Sequence, residues 1–402
     1  MAEYHFLNKT QPSQVTCLNL PENTSCVLVK KRTIEVRSTP MPILQPDGVL
    51  VKVIATGICG SDLHNYLAGG VGGRPITQPI VMGHESSGKV IAVGDRVKTH
   101  KVGDRVAIEP GLPCRRCINC KEGKVNICPS MRYCGAPGSV GSLSRFFALP
   151  ADMAPHIPDH LSWEEAGCIQ PLAVGIQLGK RVDLGPHKTV AVLVEFAKHY
   201  MSPLTGKPIF DHVFLTKDLP TTPLKNPSSG HSKNKLIPLS ETGSTAAIED
   251  GEVVDEEQVT PGDRKWEWAK KVAAEFIEKA GLVSEEGVDR VIEATGAEDC
   301  MFMGIAVVKR GGNYLAVGLG HIQTNLFPTL AVTNKEINVM GITRYTASCF
   351  PSALDMLSRG VVNVKPLITK CFPLTHSTNA FEAVAAGGDI KVVIKNQEGF
   401  EN

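Results

Sequence analysis

The segment PCRRCINCKEGKVNICP places four cysteines within fifteen residues, and few arrangements explain such a density. They are Cys114, Cys117, Cys120 and Cys128, spaced C-x2-C-x2-C-x7-C. Four thiolates on one short loop can converge on a tetrahedral Zn²⁺, which then closes the loop. A zinc ribbon needs two C-x-x-C pairs about 15–20 residues apart, and in a ferredoxin run the fourth cysteine comes sooner. The spacing predicts a structural zinc site; the alternative is a set of reduced, oxidisable surface thiols.

The composition is that of an ordinary globular protein. The chain has 402 residues, enough for two or three domains, and is 42% hydrophobic and 21% charged. A net charge of +1 gives the chain no excess of positive charge with which to bind nucleic acid or an anionic membrane. No apolar run reaches the roughly 18 residues of a transmembrane helix, and the N-terminus does not resemble a secretory signal. The twelve cysteines are therefore expected to be reduced thiols and metal ligands in the cytoplasm.

Two kinds of periodicity divide the chain. Residues 26–108 alternate apolar and polar positions with Pro and Gly breaks, which predicts short antiparallel strands in a barrel-like β unit. From Ser162 onward the period is helical, and Ser162 with Glu165 forms a capping box. The run KTVAVL at 188–193 predicts a buried parallel strand, and later strand–turn–helix alternation predicts a parallel α/β sheet. Residues 200–262 lack sustained periodicity and predict a disordered insertion.

A helix is expected where periodicity resumes after this insertion. Asp263 is its expected N-cap and Gly281 marks its end. Its apolar positions share one face: Trp266, Ala269, Val272, Ala273, Phe276, Ile277 and Ala280. The C-terminal part adds amphipathic helices and a last strand, KVVIK.

A second group of ligand-type residues lies in the β-rich part. GICGSDLH contains Cys59, and GHESSG contains His84 and Glu85. Cysteine, histidine and a carboxylate are a normal ligand set for a catalytic Zn²⁺ with an open position. Each motif alone is weak, because a lone Gly-His-Glu is more often a satisfied turn histidine. Together, beside the four-cysteine loop, they predict a catalytic zinc site.

These motifs resemble those of the zinc-dependent medium-chain alcohol and polyol dehydrogenases, and most of all their fungal sorbitol/xylitol branch. The resemblance rests on GICGSDLH, GHESSG, KVGDRVAIEPGLPCRRCINCKEGKVNIC, QPLAVG, VIEATGAE, GGNYLAVGLG and INVMGITRY. It covers nearly the whole chain outside residues 200–262. It implies an α/β fold, with a GroES-like β-rich catalytic domain that carries a zinc lobe, and a Rossmann-like parallel sheet domain. The expected parts are 1–180 (catalytic), 181–344 (cofactor) and 345–402 (returning to the catalytic domain).

The resemblance also implies the chemistry of the zinc site. Cys59, His84 and Glu85 would bind one catalytic zinc, and Ser61 would relay the proton of the alcohol. A bound zinc lowers the pKa of an alcohol, and hydride then passes to C4 of NAD. The expected reaction is oxidation of a small polyol such as xylitol or sorbitol to a ketose. L-arabinitol or another secondary alcohol is the alternative substrate.

The cofactor contacts follow from the same resemblance. The backbone of Val317, Gly318 and Leu319 would hold the nicotinamide amide. Thr343 and Arg344 would face the cofactor, and Arg344 would reach its phosphates or a substrate hydroxyl. The resemblance further suggests a homodimer or homotetramer, without nucleic-acid or membrane partners.

One departure from the family pattern lies beside the expected zinc. The family reads Glu-Pro-Leu where this chain has Gln170-Pro171-Leu172. An amide can accept a hydrogen bond or weakly ligate through oxygen, but it carries no charge and takes no proton. Gln170 therefore predicts slower proton transfer and a weaker or differently hydrated zinc; the alternative is a tolerated substitution.

A second departure affects the cofactor half. After KTVAVL the family continues with a glycine-rich turn, a helix, a strand and an acidic residue that selects NAD over NADP. Here Leu193 runs directly into VEFAKHY without a G-x-G-x-x-G, so about 30 residues of a βαβ unit are missing. Three interpretations remain: an impaired dehydrogenase, a zinc-stabilised pseudoenzyme that serves an intact paralogue, and a mis-spliced or wrongly predicted gene product.

Overall fold

The structure is a computed structural model, and it describes residues 20–71, 74–193, 260–282, 287–319 and 325–398. The chain divides into two compact units. Of the described residues, the first unit holds 20–184 and 341–398, and the second holds 185–193 and 260–340. The expected domain boundaries at 180/181 and 344/345 stay a prediction, and nearly all of the expected disordered insertion lies outside the described residues. Among the described helices, none is long and apolar enough to cross a membrane.

The described elements follow in chain order. The strands are β1 (Asn23–Lys30), β2 (Thr33–Thr39), β3 (Gly48–Gly57), β4 (Gly70–Val71), β5 (Arg74–Pro75), β6 (Ile80–Val81), β7 (Glu85–Val93), β8 (Arg105–Ile108), β9 (Gly111–Leu112), β10 (Arg132–Tyr133), β11 (Phe146–Pro150), β12 (Val190–Leu193), β13 (Val288–Glu293), β14 (Val308–Ala316), β15 (Asn338–Gly341), β16 (Ile368–Pro373) and β17 (Lys391–Lys395). The helices are α1 (Gly60–Ala68), α2 (Ile118–Lys121), α3 (Trp163–Gly167), α4 (Ile169–Val182), α5 (Pro261–Lys279), α6 (Glu298–Val307), α7 (Thr329–Asn334), α8 (Cys349–Ser358) and α9 (Ser377–Ala386).

The first unit is built around strand β3. Its main sheet has the order β16-β17-β3-β7-β8, and β11 also pairs with β3. β3 is antiparallel to β7, β11 and β17, so the predicted antiparallel β unit is confirmed. Side chains alternate along the strand, and Val49, Val51 and Val53 pack into one hydrophobic cluster while Leu50 packs into another. The register pairs Gly57 with Glu85, so the end of β3 lies beside the start of β7.

The predicted helix after Ser162 is confirmed but consists of two helices. Ser162 caps α3, and Glu165 closes the capping box as expected. The chain then turns at Cys168, and α4 begins at the next residue. Pro171 has no N–H and fits only the first turn of a helix, so it favours a new start here over one continuous helix. This start places Gln170 in the first turn of α4, where its side chain is buried.

The second unit contains the predicted parallel sheet, in the order β12-β13-β14-β15. β12, β13 and β14 are mutually parallel. The expected N-cap of α5 was wrong by three residues: Thr260 caps the helix, and Asp263 closes a capping box from the third position. Pro261 explains the difference, because proline favours the first helical position and so makes its predecessor the cap. The buried face of α5 carries Ala269, Val272 and Ala273.

Strand β12 is parallel as predicted, but it is not the buried strand that was expected. Only Ala191 is buried, whereas Val190 and Val192 are 39% and 38% exposed. β12 is the terminal strand of the described sheet. Alternate side chains of a strand face opposite sides, so each face needs its own cover. The expectation of burial was therefore wrong: β12 lies at the edge of the described sheet, and the face that carries Val190 and Val192 is only partly covered.

Glu293, the last residue of β13, ties together the loops that follow β13 and β14. Its Oε1 accepts hydrogen bonds from the backbone N–H groups of Thr295 (2.7 Å) and Gly296 (2.8 Å). Its carbonyl oxygen accepts from the N–H groups of Val317 (2.8 Å) and Gly318 (3.1 Å). The loops approach so closely that a Cβ on Gly318 would lie 1.9 Å from the Gly296 nitrogen. The side chain of Glu293 is fully buried, so these bonds form away from water.

We expect Glu293→Gln to lower the free energy of unfolding of the second unit by about 2 kcal/mol, because hydrogen bonds to a charged acceptor are lost or weakened. Urea unfolding monitored by tryptophan fluorescence measures this. Both variants are made in a Trp163→Phe background, so that the two remaining tryptophans, Trp266 and Trp268, report the unfolding of the second unit alone. The exposed Glu278→Gln is the control, and an equal effect of both substitutions would contradict the role of Glu293.

Candidate active site

Strand pairing brings the three predicted ligands of the catalytic zinc together. Cys59 follows the end of β3 and is the N-cap residue of α1, while His84 immediately precedes β7 and Glu85 is its first residue. One donor atom of each residue lies within 4.8 Å of the others, and His84 and Glu85 are buried. Cys59 is partly exposed. A thiolate, an imidazole and a carboxylate that converge in this way match a zinc site with an open position.

Asp62, which the motif GICGSDLH contains but sequence reasoning passed over, orients the candidate ligands. Its Oδ2 lies 3.4 Å from Nδ1 of His84 and accepts a hydrogen bond from the Cys59 N–H at 3.3 Å. When a carboxylate is hydrogen-bonded to one imidazole nitrogen, the other nitrogen is oriented to bind a metal. In His84 that other nitrogen is Nε2, and Ser61 Oγ lies 3.4 Å from it. Burial alone would lower the pKa of His84, but Asp62 and then Cys59 raise it well above its usual value. This cluster of acidic groups therefore favours a cation at His84, either a proton or a metal ion.

The two oxygens of the Glu85 carboxylate have different surroundings. Oε2 lies 2.7 Å from Nζ of Lys391, which the sequence analysis did not identify. Oε1 is buried and has no hydrogen-bond partner among the described residues. Buried polar atoms are nearly always satisfied, so an oxygen without a partner, on a carboxylate that converges with Cys59 and His84, fits a metal ligand.

The four cysteines of the loop also converge. The sulfurs of Cys117 and Cys120 are 3.5 Å apart, and all four lie within 4.8 Å of one another. Backbone N–H groups of Arg116 and then Cys117 lower the pKa of Cys114 to about 6. Desolvation and then the Cys117 thiol raise the pKa of Cys120 to about 12. Four sulfurs this close cannot all ionise without a cation between them, and Cys128 completes a set that fits a closed tetrahedral Zn²⁺.

Gln170 is hydrogen-bonded to Tyr133, which lies beside His84. Its Nε2 donates a hydrogen bond to the Tyr133 hydroxyl at 2.8 Å, and both side chains are buried. The Tyr133 ring lies 5.6 Å from the His84 ring, and the Arg344 guanidinium lies 4.7 Å above it. Gln170 and Arg344 thus both contact Tyr133 beside His84. Tyr133 was missed because no motif marks it; only the folded chain brings it to Gln170.

The predicted cofactor residues Thr343 and Arg344 contact the zinc lobe. The Thr343 carbonyl accepts a hydrogen bond from Nδ2 of Asn126 at 2.9 Å, and Arg344 donates to the Asn126 carbonyl at 3.3 Å. Arg344 has a positive φ of 51°. These contacts tie both residues to Asn126 in the first unit, and their role toward a cofactor stays a prediction.

The other predicted cofactor residues lie in the second unit, after β14. The N–H groups of Val317 and Gly318 are already bonded to Glu293, so a nicotinamide amide would have to be bound through their carbonyl oxygens. Leu319 is 58% exposed. The contact of these three residues with a cofactor also stays a prediction.

A cavity of about 460 Å³ in the first unit borders Tyr133 and Cys134. Its polar lining includes Thr77, Gln78 and Ser139. The three candidate zinc ligands are not part of its wall, so it is not the zinc site itself.

The purified chain is expected to contain two zinc ions, one for each group of converging donors. Cys117→Ser should reduce this to one and lower the melting temperature, because a closed structural zinc contributes directly to folding. Elemental analysis after gel filtration measures the content. Cys371→Ser, at an exposed cysteine outside both groups, is the control, and the prediction fails if Cys117→Ser keeps both ions.

Known proteins match both halves of the chain. Residues 45–159 match the alcohol dehydrogenase GroES-like domain, and residues 247–359 match the zinc-binding dehydrogenase domain. The D-xylulose reductase A of Aspergillus niger is 34% identical over 374 residues, which are 93% of this chain and 96% of that protein. The D-xylulose reductase A of Aspergillus oryzae is 33% identical over the same shares.

Solved structures agree on the fold. An oxidoreductase of unknown specificity from Escherichia coli matches with a TM-score of 0.67 and 25% identity, over 93% of this chain and 99% of that one. A structure from Sinorhizobium meliloti, solved with NADP, matches with a TM-score of 0.67 and 23% identity, over 94% of this chain and 100% of that one. The predicted fold class is confirmed: the chain belongs to the zinc-dependent medium-chain dehydrogenases, the family of alcohol and polyol dehydrogenases.

Proposed function

We propose that this chain oxidises a sugar alcohol of the xylitol or sorbitol type to a ketose with NAD, at a zinc ion held by Cys59, His84 and Glu85. The observation that carries the proposal is the convergence of these three donors, with a buried Glu85 oxygen that has no hydrogen-bond partner among the described residues. The 33–34% identity to fungal D-xylulose reductases supports the choice of substrate. The substrate is therefore a small polyol, with L-arabinitol as the alternative.

Some residues of the site would orient the zinc ligands, and another would transfer the proton of the substrate hydroxyl. A zinc ion there would lower the pKa of the substrate hydroxyl, and the nicotinamide would accept the hydride from the carbon. Asp62 would hold His84 in the ligand orientation through Nδ1. Ser61 is partly buried and lies 3.4 Å from His84 Nε2, so it would take the hydroxyl proton and pass it toward solvent.

Gln170 would make this proton transfer slower. Its amide donates to Tyr133 and offers no basic group next to the site. A carboxylate in its place could accept a proton and would make the site more negative.

The sequence around β12, where the family binds its nucleotide, supports the proposal that this chain binds NAD weakly. The zinc-binding dehydrogenase match begins at residue 247, well after β12 and the break in the family pattern. Val190 and Val192 of β12 are exposed, and no G-x-G-x-x-G follows the strand in the sequence. The pyrophosphate would therefore lack the glycine-rich turn at a helix N-terminus that normally binds it.

The same observations favour a second candidate function, a zinc-stabilised pseudoenzyme that acts as a subunit of an intact paralogue. In that case both zinc ions are bound but no cofactor is. Sequencing the transcript separates both functions from a mis-spliced product, since a transcript that encodes this chain unaltered excludes mis-splicing.

We expect the purified protein to reduce NAD with xylitol, and to saturate with NAD only far above the concentration that saturates the Aspergillus niger D-xylulose reductase assayed in parallel. NADH formation at 340 nm measures the rate, and NADH fluorescence measures binding without turnover. A panel of xylitol, sorbitol and L-arabinitol identifies the substrate. Two bound zinc ions without any NADH binding would contradict the enzyme and support the pseudoenzyme.

Gln170→Glu should raise turnover about tenfold or more, because it introduces a proton acceptor beside the site. Tyr133→Phe is the matched control, since it removes the same hydrogen bond without adding a carboxylate. Initial rates at saturating xylitol and NAD measure the effect. If Gln170→Glu gives no gain, the glutamine does not limit the rate.

A further inference from the structure

Lys391 is a buried cation directly behind the candidate zinc site. Its Nζ lies 2.7 Å from Oε2 of Glu85 and donates a second hydrogen bond to the Ile58 carbonyl at 3.1 Å. The Glu85 side chain is 1% exposed and that of Lys391 only 14%. The two residues are 306 positions apart in sequence. They meet because β17 and β7 both pair with β3, near its end at Gly57.

The surrounding backbone leaves room for this ion pair and for little else. A Cβ on Gly57 would lie 2.5 Å from Oε2 of Glu85 and 3.4 Å from Cδ of Lys391. Gly57 is the last residue of β3 and pairs with Glu85 in the sheet. Glycine at this position therefore allows the carboxylate to turn toward Lys391.

The pair leaves Glu85 with two different oxygens. Removing a lysine and a carboxylate from water is unfavourable unless they contact each other closely. The Lys391 ammonium donates one hydrogen bond to Oε2 at 2.7 Å and another to the Ile58 carbonyl, and these two contacts fix the position of Oε2. Oε1 remains buried, without a hydrogen-bond partner among the described residues.

We propose that Lys391 is a positioning residue of the zinc site, which holds Oε2 of Glu85 so that Oε1 alone is presented to the metal. The proposal rests on the proposed function, in which Glu85 is a zinc ligand. Lys391 does not touch the metal or substrate; it acts through Glu85. Hydrogen-bond partners of metal-ligating carboxylates orient the ligand, and their loss lowers metal affinity about 10- to 100-fold.

The test is Lys391→Met, with zinc affinity as the readout. Competition with a chromophoric chelator gives the affinity of each site in the full chain. We expect the Cys59–His84–Glu85 site to lose about 10- to 100-fold in affinity and the four-cysteine site to be unchanged. Cobalt substitution gives a second readout, because a Glu85 free to bind through both oxygens changes the visible absorption of Co²⁺.

Lys395→Met is the matched control, since Lys395 lies at the other end of β17 and pairs with Glu398 and Glu164. Lys395→Met should leave the zinc affinity of both sites unchanged. In a Glu85→Gln background, Lys391→Met should have little further effect, because the lysine acts through that carboxylate. If Lys391→Met does not fold, Gly57→Ala replaces it: the added Cβ displaces Oε2 while the lysine stays, and the same selective loss is expected.

Wild-type affinity at this site in Lys391→Met or Gly57→Ala, with unchanged cobalt absorption, would overturn the positioning role. An equal loss at both zinc sites would also overturn it, because that result indicates general destabilisation. Failure of the proposed function looks different: the wild-type chain would then bind zinc only at the four cysteines, before any substitution is made.

Discussion

The pairing of β3 with β7 and β17 is the constraint on which the candidate site depends. It sets Gly57 opposite Glu85, and it brings the start of β17 to the same end of the sheet. Cys59 follows β3 and His84 precedes β7, so their side chains converge where the regular pairing ends. A one-residue slip would turn every side chain of a strand to the opposite face. The hydrophobic clusters on the two sides of β3 oppose such a slip, and so the packing of the sheet also fixes the geometry of the site.

The concentration of acidic groups is the second physical feature of the site. Cys59, Asp62 and Glu85 supply acidic groups within a small, largely buried volume, and Lys391 pairs with only one carboxylate oxygen. A divalent cation would neutralise the remainder and would bond to the Glu85 oxygen that has no hydrogen-bond partner among the described residues. In the four-cysteine loop, a divalent cation would likewise neutralise the converging sulfur ligands. A zinc ion bound there would have no open position, so it would stabilise the fold, and the proposed chemistry would belong to Cys59, His84 and Glu85.

The sequence predicted what local spacing determines. Both donor groups lie in short motifs, and the Ser162–Glu165 capping box needs only its own four residues. Contacts between residues that are far apart in the sequence could not be predicted from local spacing. Tyr133 is 37 residues from Gln170, and Lys391 is 306 residues from Glu85. The burial of β12 was also mispredicted, because an apolar run shows that a strand can be buried, whereas its neighbours decide whether it is. The lack of a glycine-rich G-x-G-x-x-G after Leu193 was visible in the sequence, whereas the exposure of Val190 and Val192 was not.

The converging donors predict two zinc ions with different ligands, one bound by four sulfurs and the other by one sulfur together with nitrogen and oxygen. X-ray absorption at the zinc edge of the purified chain distinguishes these two environments. Five thiolates shared by two ions predict an average of two and a half sulfurs per zinc, at about 2.3 Å, with the remaining ligands at about 2.0–2.2 Å. A single zinc per chain surrounded by sulfur alone would contradict the account, because Cys59, His84 and Glu85 would then bind no metal.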